Sequence, residues 1–420
     1  MQFNDVTCPH CGLLCDDLTV EVNDLSVQLK NNNHPLCKQA FEDASFNSGQ
    51  IPSPLVNGSP ATLQQALDAA AQLLKNSKQP LISGMIGDIQ TCRDAVALTE
   101  KVGGVVDHAN GSGIRINTSV MQRMGEVRTT LAEVRNRADC VVIFGAGVLE
   151  NFPRLYERIL TPAQSLGNDA TKNKKIFLLD RLDKNEIPSI KNKGAITYFQ
   201  LEAPSLDSIA HKLLEVINKP IEIFDEIDDT LQILIDLHQT ILNSQYTTFI
   251  WAAGEFKSDI AEHTVQTMTQ MIKQLMEKVR CVGLPLGGSR AEVTANQVAT
   301  WQTGVSLPVA FMSGAPIHNP ILFDGMKMLQ NKEADTLVWI TTYNSNDNPP
   351  ETDIPTIVIG HPKMKCANDV DVFIPTGIPG IDHRGLACRT DNVATLPLKS
   401  IRTSQLASAN DVISQLSQLL

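Results

Sequence analysis

The sequence predicts an α/β protein: two Rossmann-like parallel-sheet units together with a small N-terminal cysteine-rich domain. Three observations predict it. Short apolar runs rich in β-branched residues recur along the chain: PLISGMIGD (80–88), CVVIFGAG (140–147), KIFLLD (175–180), TTFIWAAGE (247–255), DTLVWITTYN (335–344) and IPTIVIGHP (354–362). Helical segments lie between most of them, and strands alternating with helices imply parallel sheets covered on both faces. The first fifty residues break this pattern, being cysteine-rich with little continuous hydrophobic sequence.

Taken in order, ATLQQALDAAAQLLKNS (61–77) reads as an amphipathic helix, with Leu63, Ala66, Leu67, Ala70, Leu73 and Leu74 near helical spacing. The strand 80–88 follows, then a helix over 91–104 stopped by glycine. TPAQSLGNDATKNKK (161–175) is a polar loop within one unit, NKPIEIFDEIDD (218–229) a connector, and 258–279 a long helix. These elements divide the chain into a metal or cluster domain (1–50), a discontinuous Rossmann-like domain (51–108 and 236–400), a second α/β domain (109–235) and a C-terminal helix (401–420). No internal repeat stands out.

Composition excludes some classes. Hydrophobic residues make up 42% and charged residues 19%, as in ordinary globular proteins, and the formal net charge is −11. No basic stripe is present, so nucleic acid is not an expected partner. The N-terminus lacks a basic region followed by an apolar one, and no apolar run has transmembrane length. A cytoplasmic protein without membrane contact is expected. Nine cysteines in a chain of 420 residues are no disulfide framework. Cys92, Cys140, Cys281, Cys366 and Cys388 are scattered and read as packing residues.

Cys8, Cys11, Cys15 and Cys37 are not scattered. They follow C-x2-C-x3-C-x21-C. A two-residue loop lets Cys8 and Cys11 converge. Cys11 and Cys15, four apart, share a face on a helical turn. Cys37 closes the site from a second segment. Four thiolates suit a [4Fe–4S] cluster or a tetrahedral zinc; the competing reading is a set of packing residues left after a metal was lost. His10, inside the loop, is a competing ligand, or else a solvent-facing residue or one that supports the ligands from behind.

This opening, CPHCGLLCDDLTVEV (8–22), with Lys38 after the fourth cysteine and an α/β body behind, resembles the molybdopterin/tungstopterin oxidoreductases. It resembles the B subunit of formylmethanofuran dehydrogenase more closely. LAEVRNRADCVVIFGAG (131–147), FPRLYERI (152–159), TANQVATWQTG (294–304) and IPGIDHRGLACRTDNVATLPLK (378–399) resemble further signatures of that family, in order. The resemblance implies formate dehydrogenase/DMSO reductase-like domains 1–3. It also implies a [4Fe–4S] cluster on the four cysteines, with Lys38 between cluster and pterin.

Departures from the family pattern are equally specific. Where the family carries a cysteine or selenocysteine ligand to tungsten or molybdenum, followed by a histidine, DHANGSGIRIN (107–117) places Gly113 and Ile114. Where it carries an arginine and a histidine, LGGS (286–289) places Gly287 and Ser289, with Arg290 near but shifted. Redox chemistry on a formyl group needs a metal ligand and groups that handle protons. The resemblance therefore points to a non-redox B-type subunit, as in the formyltransferase/hydrolase complex of methylotrophic bacteria. That complex moves a formyl group from formyl-tetrahydromethanopterin to a methanofuran-like carrier and hydrolyses it to formate. Tungsto- or molybdopterin is expected to be absent, and sibling A-, C- and D-type subunits are the expected partners. The alternative is an active tungsten or molybdenum oxidoreductase of the B type.

The remaining motifs read as structure. FGAGVLENFPR (144–154) has G-x-G without a third glycine and reads as a strand-end turn. TTYNSNDNPPETD (341–353) reads as a surface or interface loop, and His361 and Cys366 as packing residues. Asp107 and His108, adjacent on a strand, would point to opposite faces and not act as an acid–base pair.

Overall fold

The computed structural model describes residues 1–31, 34–46, 51–166, 174–181, 194–224, 226–256, 259–287 and 290–420. The chain forms two compact units, Met1–Gly111 with Ser289–Leu420, and Ser112–Gly288.

The first unit is built on a nine-stranded sheet. Its central strands Val105–Val106, Pro80–Ile86, Thr336–Thr341, Thr356–Gly360 and Val372–Pro375 run parallel in that spatial order. Antiparallel pairs flank them, Val309–Ala310 with Ile317–His318 at one edge and Leu55–Val56 with Ser59–Pro60 at the other. Strand alternation sorts the side chains onto two faces. Ile82, Val338, Ile340, Ile357, Ile359, Val372 and Ile374 join one core with residues of the helices Leu63–Asn76, Ile89–Val102, Glu292–Thr303 and Ala409–Leu419. Leu81, Leu337, Trp339, Val358 and Phe373 join a smaller core with Phe323, Met328 and Met364. Helix Leu63–Asn76 starts where Thr62 and Gln65 form a reciprocal capping box.

The N-terminal three-stranded antiparallel sheet, Gln2–Val6, Leu18–Asn23 and Ser26–Leu29, belongs to this unit, as does helix Pro35–Asp43. The short hairpin Gly385–Cys388 with Thr395–Leu398 completes it.

The second unit holds a five-stranded, all-parallel sheet in the order Ile196–Leu201, Lys175–Arg181, Cys140–Phe144, Thr247–Ala252 and Cys281–Leu286. Its core gathers Phe144, Phe249 and Trp251 with helices Leu206–Asn218, Asp229–Leu242 and Ala261–Met276.

The α/β class and both parallel sheets agree with the sequence expectation, but the expected return to the first domain at residue 236 is corrected to 289. Thr247–Ala252 pairs with Cys140–Phe144 and Cys281–Leu286 with Thr247–Ala252, so hydrogen bonding commits this stretch to the second sheet. Nor do residues 1–50 and 401–420 stand apart, since both cluster with the first unit. Part of the 161–175 loop lies outside the described residues. No helix among the described residues is long and apolar enough to cross a membrane.

Candidate metal centre

Two separate segments supply the four cysteines. Cys8, Cys11 and Cys15 lie in the connection between strands Gln2–Val6 and Leu18–Asn23, and Cys37 lies in the first turn of helix Pro35–Asp43. The helical turn expected over 11–15 is not formed. The loop is irregular and closed by Cys8 N–H donating to Cys15 O at 2.9 Å. Gly12 takes φ 77° and Leu14 φ 49°, so the chain reverses too sharply for a helix. Gly12 O accepts from Thr390 N–H at 2.8 Å, which fixes the loop tip.

Cys8, Cys15 and Cys37 are buried, and Cys11 is partly exposed. The Cys8 and Cys37 thiols are hydrogen-bonded. That contact and burial push Cys8 well above the ordinary thiol range, and Cys37, Cys11 and Cys15 add to it electrostatically. Burial, with the nearby Cys15, pushes Cys11 up to about 12. The structure thus brings all four cysteines within electrostatic reach of one another.

In the arrangement seen, no three His, Cys, Asp or Glu side chains among the described residues are disposed to hold a metal ion. The donor set nevertheless fits. Four thiols converge from two segments, and hydrogen bonding, burial and the neighbouring cysteines are what raise Cys8 and Cys11. A bound metal would supply the positive charge that lets the thiols ionise, and thiolate ligands select zinc or iron–sulfur clusters. Lys38 does not point toward the cysteines; it pairs with Glu42 at 3.6 Å on the exposed side of the helix.

His10 sits between Cys8 and Cys11 with its ring edge-on to Phe41 (5.7 Å between centroids) and to Tyr343 (6.1 Å). Burial lowers it to about 4, so the imidazole is neutral at ordinary pH.

The positions that depart from the family pattern are also placed. Gly113 lies in the first turn of helix Ser112–Met124; a β-carbon there would meet Gly254 N at 3.4 Å. Ile114 follows in the same turn, half-buried. Trp251 Nε1–H donates to Asn117 Oδ1 at 3.1 Å, which holds this helix against its sheet. Gly287 follows strand Cys281–Leu286, and Ser289 lies outside the described residues.

Arg290 is committed elsewhere. It and Ala291 take φ 69° and 60°, and its guanidinium pairs with the buried Asp347 carboxylate at 2.8 Å. Its carbonyl accepts from His108 Nε2–H at 3.1 Å; His108 Nδ1 accepts from Asn110 N–H, which fixes that tautomer. Asp107 accepts instead from the backbone N–H groups of His108 and Gly325, so the two neighbours form no acid–base pair.

FGAGVLENFPR, expected as a strand-end turn, turns at Gly145 (φ 86°) and then enters a short helix, Gly147–Asn151. Gly147 packs against the Glu255 carboxylate, which burial, Glu150 and Asp180 shift upward. A carboxylate against the glycines disfavours a phosphate. In the 341–353 segment, expected as a surface or interface loop, Thr341, Thr342, Tyr343, Ser345 and Asp347 are buried within this chain. Tyr343 and Asp347 escaped the sequence reading because a polar, turn-rich composition carries no sign of burial.

No protein-family model matches the chain. It is 24% identical over 407 residues to the B subunit of the tungsten-containing formylmethanofuran dehydrogenase 2 of Methanocaldococcus jannaschii, covering 93% of this chain and 91% of that protein. It is also 24% identical over 329 residues to the B subunit of the formyltransferase/hydrolase complex Fhc of Methylorubrum extorquens, covering 77% and 85%. Among solved structures, the crystal structure of that complex with methylofuran contains a similar chain, with TM-score 0.74 and 22% identity over 87% of this chain and 98% of that one. Acetylene hydratase from Pelobacter acetylenicus shares the fold with TM-score 0.60 at 11% identity, over 99% of this chain and 69% of that one. The resemblance read from the motifs therefore holds along most of the chain.

Proposed function

We propose that this chain is the non-redox, structural B-type subunit of a formyltransferase/hydrolase complex. In this reading the complex converts formyl-tetrahydromethanopterin to formate through a methanofuran-like carrier, with the transferase and hydrolase chemistry on sibling A-, C- and D-type subunits. The observation that carries the proposal is the pair Gly113 and Ile114. Neither can ligate tungsten or molybdenum or transfer a proton, and with Gly287 they leave the inherited redox positions without chemistry. Arg290, shifted in sequence from the family's arginine position, is paired with Asp347. Pterin is absent in this reading.

Cys8, Cys11, Cys15 and Cys37 would hold a [4Fe–4S] cluster, or zinc in their place. When bound, a cluster supplies one-electron transfer and zinc supplies structural cross-linking. Here the residues' own work is to join the N-terminal loop to helix Pro35–Asp43.

Membership of a complex is supported by exposed apolar side chains concentrated within 301–326. Trp301, Met312, Ile321 and Leu322 are each at least half exposed, and a partner would cover such a surface. The alternative, an active tungsten or molybdenum oxidoreductase, is favoured by the complete cysteine set and by the extent of the match to the methanogen protein.

Elemental analysis of the anaerobically purified complex separates these readings. Iron or zinc without tungsten or molybdenum, and no reduction of artificial dyes by formate, is expected. Stoichiometric tungsten or molybdenum with dye reduction that depends on this chain overturns the proposal.

A further inference from the structure

We propose that His10 is the positioning residue of the cysteine centre: its ring, wedged between Phe41 and Tyr343, sets the separation between the loop of Cys8, Cys11 and Cys15 and the helix of Cys37. The inference rests on reading the four cysteines as one centre.

The wedge is visible in two ring contacts. His10 belongs to the loop, between two of its cysteines. Phe41, fully buried, lies one helical turn beyond Cys37 and so on the same face of helix Pro35–Asp43. Tyr343, also buried, follows strand Thr336–Thr341 of the large sheet. The His10 ring meets both aromatics edge-on, at interplanar angles of 77° and 73°. Edge-to-face packing at such centroid distances is favourable, and it resists sliding because both partners sit in a close-packed interior. A shift of the helix toward the loop would drive Phe41 into the imidazole, and a shift of the loop would drive the imidazole into Tyr343.

An independent observation concerns polar atoms. His10 Nε2, the Tyr343 hydroxyl and His361 Nε2 are all buried without a protein partner. His361 is fully buried, and its Nδ1 accepts from Lys363 N–H at 3.1 Å, so in the neutral ring the hydrogen is on Nε2. His361 and His10 lie close enough to interact electrostatically. Buried polar atoms of this kind are met by ordered water. Water in this seam would tie the loop to the ends of strands Thr336–Thr341 and Thr356–Gly360, and that is a reason for an imidazole where a phenyl ring would fill the same space.

The test uses the full-length chain with two readouts, the rate of iodoacetamide alkylation at Cys8 and Cys37 followed by mass spectrometry, and the thiolate charge-transfer absorption of added Co(II). His10→Ala removes the wedge and should speed alkylation at both cysteines by about tenfold while weakening and shifting the cobalt band. His10→Phe restores the wedge without the polar seam. It should return both readouts to wild type and melt at a lower temperature. Tyr343→Ala, which removes the opposite wall, should reproduce the His10→Ala phenotype and covers the case in which His10→Ala does not fold. Wild-type readouts in His10→Ala, or a His10→Phe variant as perturbed as His10→Ala, overturn the proposal. If wild-type chain takes up no Co(II), the reading of the cysteines as a metal centre fails, while the alkylation rates still decide the role of His10.

Discussion

Arg402 and Asp382 form an ion pair at 2.7 Å with side chains only 3% and 1% exposed. The same guanidinium donates to the backbone carbonyls of Leu25 and Ala44, so one side chain joins the N-terminal cysteine-rich region to the C-terminal segment. Residues 1–46 are therefore anchored in the first unit rather than being a free-standing domain.

Removing that anchor should be costly. Arg402→Ala leaves the Asp382 carboxylate buried without its partner, and truncating one side of a buried pair costs about 3–5 kcal/mol. Denaturant unfolding should register this loss, and limited proteolysis should cut first within residues 1–46. A loss below about 1 kcal/mol would mean that solvent reaches Asp382 and replaces the arginine.

Acid should destabilise the chain through His361. Burial holds its imidazole down at about 3, against 6.5 ordinarily. A base whose folded pKa is depressed takes up its proton first in the unfolded state. Its contribution is fully present above pH 6.5 and is lost as pH falls from 6.5 towards 3. Linkage gives a loss of about 2 kcal/mol at pH 5 from this residue. His361→Asn should flatten the pH dependence of stability over that window, whatever it does to stability at neutral pH. An unchanged slope would show that His361 is not the group responsible.

A β-carbon at Gly147 would overlap the Glu255 carboxylate, the far end of an exposed, flexible side chain that has to swing aside. Gly147→Ala should cost no more than about 1 kcal/mol. Gly147→Ala combined with Glu255→Ala should recover most of that loss. Additive losses in a double-mutant cycle would separate the two residues.

Metal content should depend on each of the two segments. Cys37→Ser and Cys8→Ser should each remove most iron or zinc from the purified complex, whereas Cys92→Ser, at a buried packing site, should leave it unchanged. Equal metal in all three variants would detach the metal from the four-cysteine motif.

The exposed apolar stretch should matter for assembly. Ile321→Asp with Leu322→Lys, at positions 73% and 61% exposed, should reduce co-purification of sibling subunits without lowering the melting temperature of this chain. Undiminished co-purification would place the interface elsewhere.

The α/β class, most strand and helix positions, and the four-cysteine motif could be read from the sequence. Each is a local property: apolar runs, helical spacing and caps act over a few residues, and the cysteine spacing is itself a loop-closure constraint. The placing of Gly113, Ile114 and Gly287 at family motif positions rests on the sequence resemblance alone.

Only tertiary structure decided the rest. Strand Thr247–Ala252 falls by sequence within the expected first domain, and its pairing with Cys140–Phe144 and Cys281–Leu286 settles the unit to which it belongs. Tyr343 and Asp347 carry the composition of a surface turn, yet the fold buries them. Arg290 keeps a chemically able side chain, and Asp347, distant in sequence, spends its charge. His10 gains its place from Phe41 and Tyr343 in the same way. The physical reason is common to all four. Strand partner, burial and charge pairing depend on which distant residues arrive alongside, and no local pattern of spacing or propensity encodes that arrival.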